Sequence, residues 1–220
     1  MLIEKNSIIV FAGDSVTDAD RNYDREPGGW DSWGHGYVTL INDAMTALAP
    51  QLKAEIINSG VNGDDIKLLA ARYDHDVLRF KPDVVTVMVG INDVWRHFDR
   101  QFQHWNQPKV EPAEYRQIYQ DLIDTTKPHV KEMIIMSPFM WELNHDDPMR
   151  RALMAYQDIG KELAAQNGLL YIDAQAAVDQ FLHQAAYFVA TPDRVHPSEQ
   201  GAMVIAKKWL DAVGFDWSAQ

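Results

Sequence analysis

Ser15, Asp193 and His196 are the three residue types that together make a hydroxyl nucleophilic. A serine hydroxyl is a weak nucleophile at neutral pH and needs a base within hydrogen-bond reach. Ser15 lies in "FAGDSVTD", directly after the apolar run Ile8-Ile9-Val10-Phe11. The chain has eight histidines, and His196 in "TPDRVHPSEQG" stands in the right company, with Asp193 three residues before it. On a turn, residues three apart share a side. Asp193 can therefore hold one imidazole nitrogen, fixing the tautomer, while His196 offers the other to Ser15. Pro197 keeps His196 on the loop rather than in the following helix.

Attack on a carbonyl places negative charge on its oxygen, and losing one donor to that charge costs about 3–4 kcal/mol. Three donors are expected: the N–H of Ser15, the N–H of Gly60 in "NSGVNGD", which has no Cβ to obstruct a substrate, and the side-chain amide of Asn92 in "GIND". Each residue alone has a plainer reading. A serine before a helix is a cap, a Gly or Asn after a strand is a turn residue, and a D-x-x-H pair is an ion pair or part of a metal site. Jointly, at successive strand ends and in this order, they point to acyl transfer.

The elements that must position them are legible as alternating apolar patterns. Strands are expected at Ser7 to Ala12, Ala54 to Asn58, Asp83 to Val89, Glu132 to Met136 and Leu169 to Ile172, continuous and β-branched as in strands buried on both faces. Helices are expected over 36–48, 64–79, 112–129 and 148–167, with a last one from Pro197 to Val213. This alternation gives an α/β fold, a parallel sheet with helices on both faces. Ligands in such sheets gather beyond the carboxyl ends of the strands, where "GDSVTD", "NSGVNGD" and "GIND" all fall.

Composition narrows the classes further. The chain has 220 residues, 46% of them hydrophobic, with no linker or repeat, so one domain over 1–220 is expected. A net charge of -12 disfavours nucleic acid and anionic membranes as partners. The absence of cysteine excludes thiol catalysis, disulfides and zinc–thiolate sites. "MLIEKNSIIVFAGDS" is too short in its apolar run for a signal peptide, and no stretch reaches membrane-span length, so a cytoplasmic protein is expected.

These blocks resemble a known family. "GDSVTD", "NSGVNGD", "GIND" and "DRVHP" match, in order and across most of the chain, the four blocks of the SGNH, or GDSL-type, hydrolases. The valine after Ser15, where that family's name-giving residue is leucine, is a mild departure. The resemblance implies a three-layer α/β/α sandwich with a five-stranded, flavodoxin-like sheet. It also implies Ser-His-Asp ester hydrolysis without cofactor or metal. By position, Ser15, Gly60 and Asn92 match the oxyanion donors, Ser15 the nucleophile, Asp193 the orienting acid and His196 the base. "WGHGYV", "KPDVVTVMVGINDVWR", "KPHVKEMIIMSPF" and "DPMRR" look like the acetyl-xylooligosaccharide esterase branch. That likeness implies removal of acetyl groups from short sugars, and homo-oligomers. Two alternatives stand beside it: a general carboxylesterase, lysophospholipase or thioesterase on the same site, and a flavodoxin-like binding module without chemistry.

Seven tryptophans are many for this length. Trp95 and Trp30 are the candidates for stacking on sugar rings, with Trp33 and Trp141 behind them. Asp14, Asp18, Asp20, Asp24 and Asp31 crowd the first loop but lack the spacing of a calcium loop, and are expected to be caps and solvated residues, Asp14 ordering the loop beneath Ser15. His97, His104 and His145 lack ligand spacing and are expected at the surface. The polar segment 97–112 is expected to be a lid or a subunit contact.

Overall fold

Runs such as Ile8-Ile9-Val10 suit strands covered on both sides, and five such strands build the centre of the molecule. The structure, a computed structural model, describes residues 1–98 and 109–218. Strands β1 (Ile8–Gly13), β2 (Glu55–Gly60), β3 (Val84–Met88), β4 (Glu132–Met136) and β5 (Leu170–Ile172) form one sheet. All pairings are parallel, in the order β2-β1-β3-β4-β5, and Gly13 at the end of β1 stands between Gly60 of β2 and Met88 of β3. The first three strands are thus neighbours, and the loops leaving them meet at one edge of the sheet.

The described helices are α1 (Ser15–Asp18), α2 (Tyr37–Leu48), α3 (Ile66–Asp76), α4 (Ile91–Trp95), α5 (Pro112–Thr126), α6 (Pro148–Asn167), α7 (Ala174–Leu182) and α8 (Glu199–Ala212). Because side chains alternate along a strand, β1 feeds two cores. Ile9 and Phe11 pack with α2, α7 and α8, while Val10 and Ala12 pack with α3, α5 and α6. The result is the expected α/β/α sandwich on a five-stranded parallel sheet. Phe11 meets Tyr37 at 5.7 Å and Trp209 of α8 at 5.0 Å between ring centroids, and the Trp209 indole N–H donates to Thr86 Oγ1 at 3.0 Å. The last helix is therefore fastened to the central strands by burial and by a hydrogen bond. Truncating such a buried Trp typically costs about 3–5 kcal/mol.

The expected elements differ from the observed ones mainly at their ends. The helix expected over 64–79 stops at Asp76, and a 3₁₀ turn, Leu78–Phe80, follows. The one expected over 112–129 gives way at Lys127–His129, again a 3₁₀ turn, where Pro128 has no N–H to continue an α-helix. The last helix begins at Glu199 behind its cap, Ser198, rather than at Pro197. Helix α7 was not expected. Its signal is Asp173, whose carboxylate accepts from Ala176 N at 2.9 Å as an N-cap. Residues 99–108, most of the segment expected to be a lid or contact and including His104, lie outside the described residues.

Candidate active site

Ser15 is placed by the way β1 ends. Asp14 caps α1, accepting from Val16 N at 3.0 Å, and Ser15 is the first helical residue. A first-turn N–H has no partner within its own helix, which leaves the Ser15 amide available beside its hydroxyl. Asp14 is buried, and that burial lifts its carboxyl to about 7, against the opposing pull of the Val16 N–H and the nearby His196. It orders the loop beneath Ser15 as a buried cap.

His196 comes from the far end of the chain. Asp193 Oδ1 accepts from the backbone N–H groups of Val195 at 2.9 Å and His196 at 2.8 Å, curling the loop into a tight turn. Asp193 Oδ2 then lies 2.6 Å from His196 Nδ1, and His196 Nε2 lies 2.8 Å from Ser15 Oγ. With Nδ1–H donating to the carboxylate, Nε2 is the acceptor for the serine hydroxyl. Burial alone would raise the Asp193 carboxyl, but hydrogen bonds from the His196 ring and the two backbone amides outweigh it and hold the acid below its usual range. Two ties steady the loop: Trp141 N donates to Arg194 O at 2.9 Å, and the Arg194 guanidinium pairs with Glu142 at 2.8 Å and Asp147 at 3.2 Å. The structure thus brings Ser15, Asp193 and His196 into one hydrogen-bonded line. The His196 and Asp193 side chains remain 39% and 37% exposed, so the line opens to solvent.

The oxyanion side departs from the expectation at Gly60. Its N–H is already committed to Asn58 Oδ1 at 2.9 Å, and its carbonyl accepts from Arg21 Nε at 2.6 Å. A Cβ there would stand 2.1 Å from Asp18 N and 2.6 Å from Thr17 C, so Gly60 is glycine because the α1 backbone presses on it. It cannot serve as the donor expected from sequence. Three residues on, Gly63 has φ of +83° with nothing within 4 Å of a Cβ position, and its N–H meets no acceptor among the described residues. The signal was in the sequence, since the Asn62-Gly63 dipeptide marks a turn with positive φ.

The 61–64 turn is tied on both sides to the other loops. Val61 N donates to Gly13 O at 3.1 Å and Asn62 N to Asp18 Oδ2 at 2.8 Å, on the side of the nucleophile. On the other side, Asn92 Nδ2 donates one hydrogen to Asp64 O at 2.8 Å, leaving its second for a substrate oxygen. Arg72 of α3 joins the two halves, reaching Gly13 O at 3.1 Å and Asp64 Oδ2 at 2.6 Å. Burial pushes the Asp64 carboxyl upward despite this partner. Two short helices, α1 and α4, therefore face each other across the turn that carries Gly63.

The remaining candidates divide. The Trp95 ring packs against the His196 ring, with centroids 5.6 Å apart and planes inclined at 51°, so it lies at the site. Trp30 does not. It is 87% exposed and lines a pocket of about 780 Å³ with Trp33, Asn42 and Glu55, beside the amino end of β2, whereas Ser15 follows the carboxyl end of β1. Trp33 donates its indole N–H to Ile56 O at 2.6 Å. Trp141, 1% exposed, is core, packed edge-on against Phe139 and Phe181. Asp20, Asp24 and Asp31 are exposed, but Asp18 is buried and links Tyr23, Asn62 and Arg21 instead of facing solvent. His145 is exposed and His97 half-buried.

Comparison with known proteins follows the same lines. The family model described as the GDSL-like lipase/acylhydrolase family matches residues 11–204. The chain belongs to this family. It is 37% identical over 217 residues to an acetylxylan esterase of Geobacillus stearothermophilus, covering 99% of this chain and 98% of the relative. The crystal structure of that organism's Axe2, an acetylxylan esterase, superposes with a TM-score of 0.93 at 37% identity, covering 99% of this chain and 98% of Axe2. The structure of LAE5, an α/β hydrolase from the metagenome of Lake Arreo, Spain, gives 0.94 at 36% identity over 98% of both chains. Structures of catalytic mutants of Axe2 carry alanine in place of a serine, a histidine or an aspartate. As a GDSL-like acylhydrolase, this chain pairs the family's ester-cleaving chemistry with a site open at the sheet edge.

Proposed function

We propose that the chain is a serine esterase that removes acetyl groups from xylo-oligosaccharides or closely similar acetylated sugars. The observation that carries the reading is the unbroken line from Ser15 Oγ to His196 Nε2 at 2.8 Å and from His196 Nδ1 to Asp193 Oδ2 at 2.6 Å. Ser15 Oγ attacks the acetyl carbonyl as its proton passes to His196 Nε2, and Asp193 stabilises the imidazolium. The carbonyl oxygen, now negative, takes hydrogen bonds from the N–H groups of Ser15 and Gly63 and from Asn92 Nδ2. His196 returns the proton to the departing sugar hydroxyl, leaving an acetyl-enzyme. Water deprotonated by His196 releases acetate and restores Ser15. No cofactor or metal takes part in these steps.

The acetyl-sugar assignment is supported by the full-length likeness to an acetylxylan esterase and by the exposed triad, which suits a short acyl group on a bulky alcohol. Trp95, beside His196, is in place to face a sugar ring. The test is acetate release from a panel of acetylated xylo-oligosaccharides, run with nitrophenyl acetate, butyrate and octanoate. Preference for octanoate would overturn the acetyl reading in favour of a general carboxylesterase, lysophospholipase or thioesterase. Failure of a serine-directed organophosphonate to label Ser15 would overturn the enzyme reading itself. We also read the chain as one hydrolase domain of the cytoplasm that assembles with copies of itself. Among the described residues no helix is long and apolar enough to cross a membrane, and Tyr187, Phe188 and Val189 form an exposed apolar turn. Sedimentation and cell fractionation check these two points.

A further inference from the structure

Helix α4 holds the second loop at three successive places. Asn92 donates to Asp64 O at 2.8 Å, and Ile66 N donates to Asp93 Oδ1 at 3.2 Å. The third hold is Arg96, one residue beyond α4. Its Nη1 donates to Asp65 Oδ2 and its Nη2 to the carbonyl oxygen of Gly63. Arg96 is only 8% exposed, so this guanidinium is a built-in brace rather than a surface charge. Asp65 in turn caps α3, accepting from Leu68 N at 2.9 Å through its other oxygen. The brace thus runs from one helix through the turn to the start of another.

Gly63 has no packing of its own to fix it, since nothing lies within 4 Å of its Cβ position. A residue of this kind rotates freely unless the peptides on either side are held. The following one is held at both ends, by Arg96 on Gly63 O and by Asp64 N on Val61 O at 3.2 Å, while one peptide further back Asn62 N is held on Asp18 Oδ2 at 2.8 Å. Between these fixed points lies the Asn62–Gly63 peptide, which carries the Gly63 N–H.

We propose that Arg96 is a positioning residue that aims the Gly63 N–H at the oxyanion, and so acts on the transition state rather than on substrate binding. The inference rests on the acyl-transfer reading given above. Arginine is required because its planar fork engages a carboxylate and a carbonyl at once, whereas a lysine ammonium is a point charge that serves one well-placed acceptor.

The test compares Arg96→Lys and Arg96→Gln with the parent on nitrophenyl acetate, measuring kcat and KM separately, with a melting curve for each. Lysine keeps a positive charge beside buried Asp65 and protects the fold; glutamine removes it. Complete loss of an oxyanion donor lowers kcat by about 10²–10³-fold, so a misaimed one in folded Arg96→Lys should lower it by roughly ten- to a hundredfold, with KM within about twofold. Arg96→Gln should lose at least as much. Unchanged kcat in folded Arg96→Lys overturns the inference, and so does a raised KM at constant kcat, which would make Arg96 a substrate contact. Failure of both variants to fold overturns it equally, because Arg96 would then be framework. Ser15→Ala separates the two levels: activity that survives it condemns the acyl-transfer reading, while Ser15-dependent activity indifferent to Arg96→Lys condemns this inference alone.

Discussion

Exchanging a single peptide N–H for an ester oxygen, by inserting glycolic acid in place of Gly63, removes one hydrogen-bond donor and touches no side chain. In the free protein that N–H meets no acceptor among the described residues, so little stability should be lost. In the mechanism proposed above it faces the carbonyl oxygen of the transition state, and removing such a donor is worth about 3–4 kcal/mol, or 10²–10³ in kcat. The same exchange at Gly60 should do the reverse. There the N–H is spent on Asn58 Oδ1 at 2.9 Å. Its loss costs about 1 kcal/mol of net stability and lowers the melting temperature by about 2–4 °C, with kcat within about threefold of the parent. The assay is initial-rate hydrolysis of nitrophenyl acetate beside a thermal melt, on protein made by nonsense suppression with the hydroxy acid. Retained kcat at 63 with lost kcat at 60 would refute the reassignment of the donor. Retained kcat at both would remove the backbone of this loop from the oxyanion site.

Ser15→Ala should keep the melting temperature and lower kcat by several orders of magnitude, checked by acetate release. Asp193→Asn, which leaves His196 Nδ1 facing an amide, should lower kcat by roughly 10⁴-fold, measured by the same assay. Gly60→Ala should destabilise by about 1–3 kcal/mol or more, since the added methyl meets the backbone of Asp18 and Thr17, and a denaturant melt reads the loss. Burial lifts Asp14 from 3.8 to about 7, so between those values the folded protein holds a proton that the unfolded chain releases, and stability falls as pH rises through that window. Asp14→Asn preserves the cap and should flatten that slope, melting above the parent at pH beyond the window and level with it at the acid end. A steeper slope in the variant would contradict the burial argument.

How much of this was legible in the sequence depends on whether a feature is local. The five strands could be read because each is a continuous apolar run, and the order of the loops could be read because parallel sheets place them at one edge. Ser15, Asp193 and His196 were identifiable by type and company. In "NSGVNGD" the Asn62-Gly63 dipeptide marks a turn, but only the fold shows that Gly60 has lost its N–H to Asn58 and its Cβ space to α1. Trp141 and Trp30 were equally indistinct, because whether an indole is core or rim is settled by elements far away in sequence. Arg96 gave no signal at all: its partners, Gly63 and Asp65, lie more than thirty residues upstream. Helix α7 was missed for a different reason: it is only nine residues long and follows the last strand directly, behind its cap Asp173.

The nucleophile follows the first strand and its base precedes the last helix, which is fastened back onto the centre of the sheet through Trp209 and Thr86. Synthesis therefore delivers the reactive hydroxyl early and its proton acceptor late. A growing chain carries a blunt serine until the final helix has left the ribosome and docked. Premature termination before His196 yields fragments that carry the serine without its base, so the hydrogen-bonded line waits for nearly the whole chain.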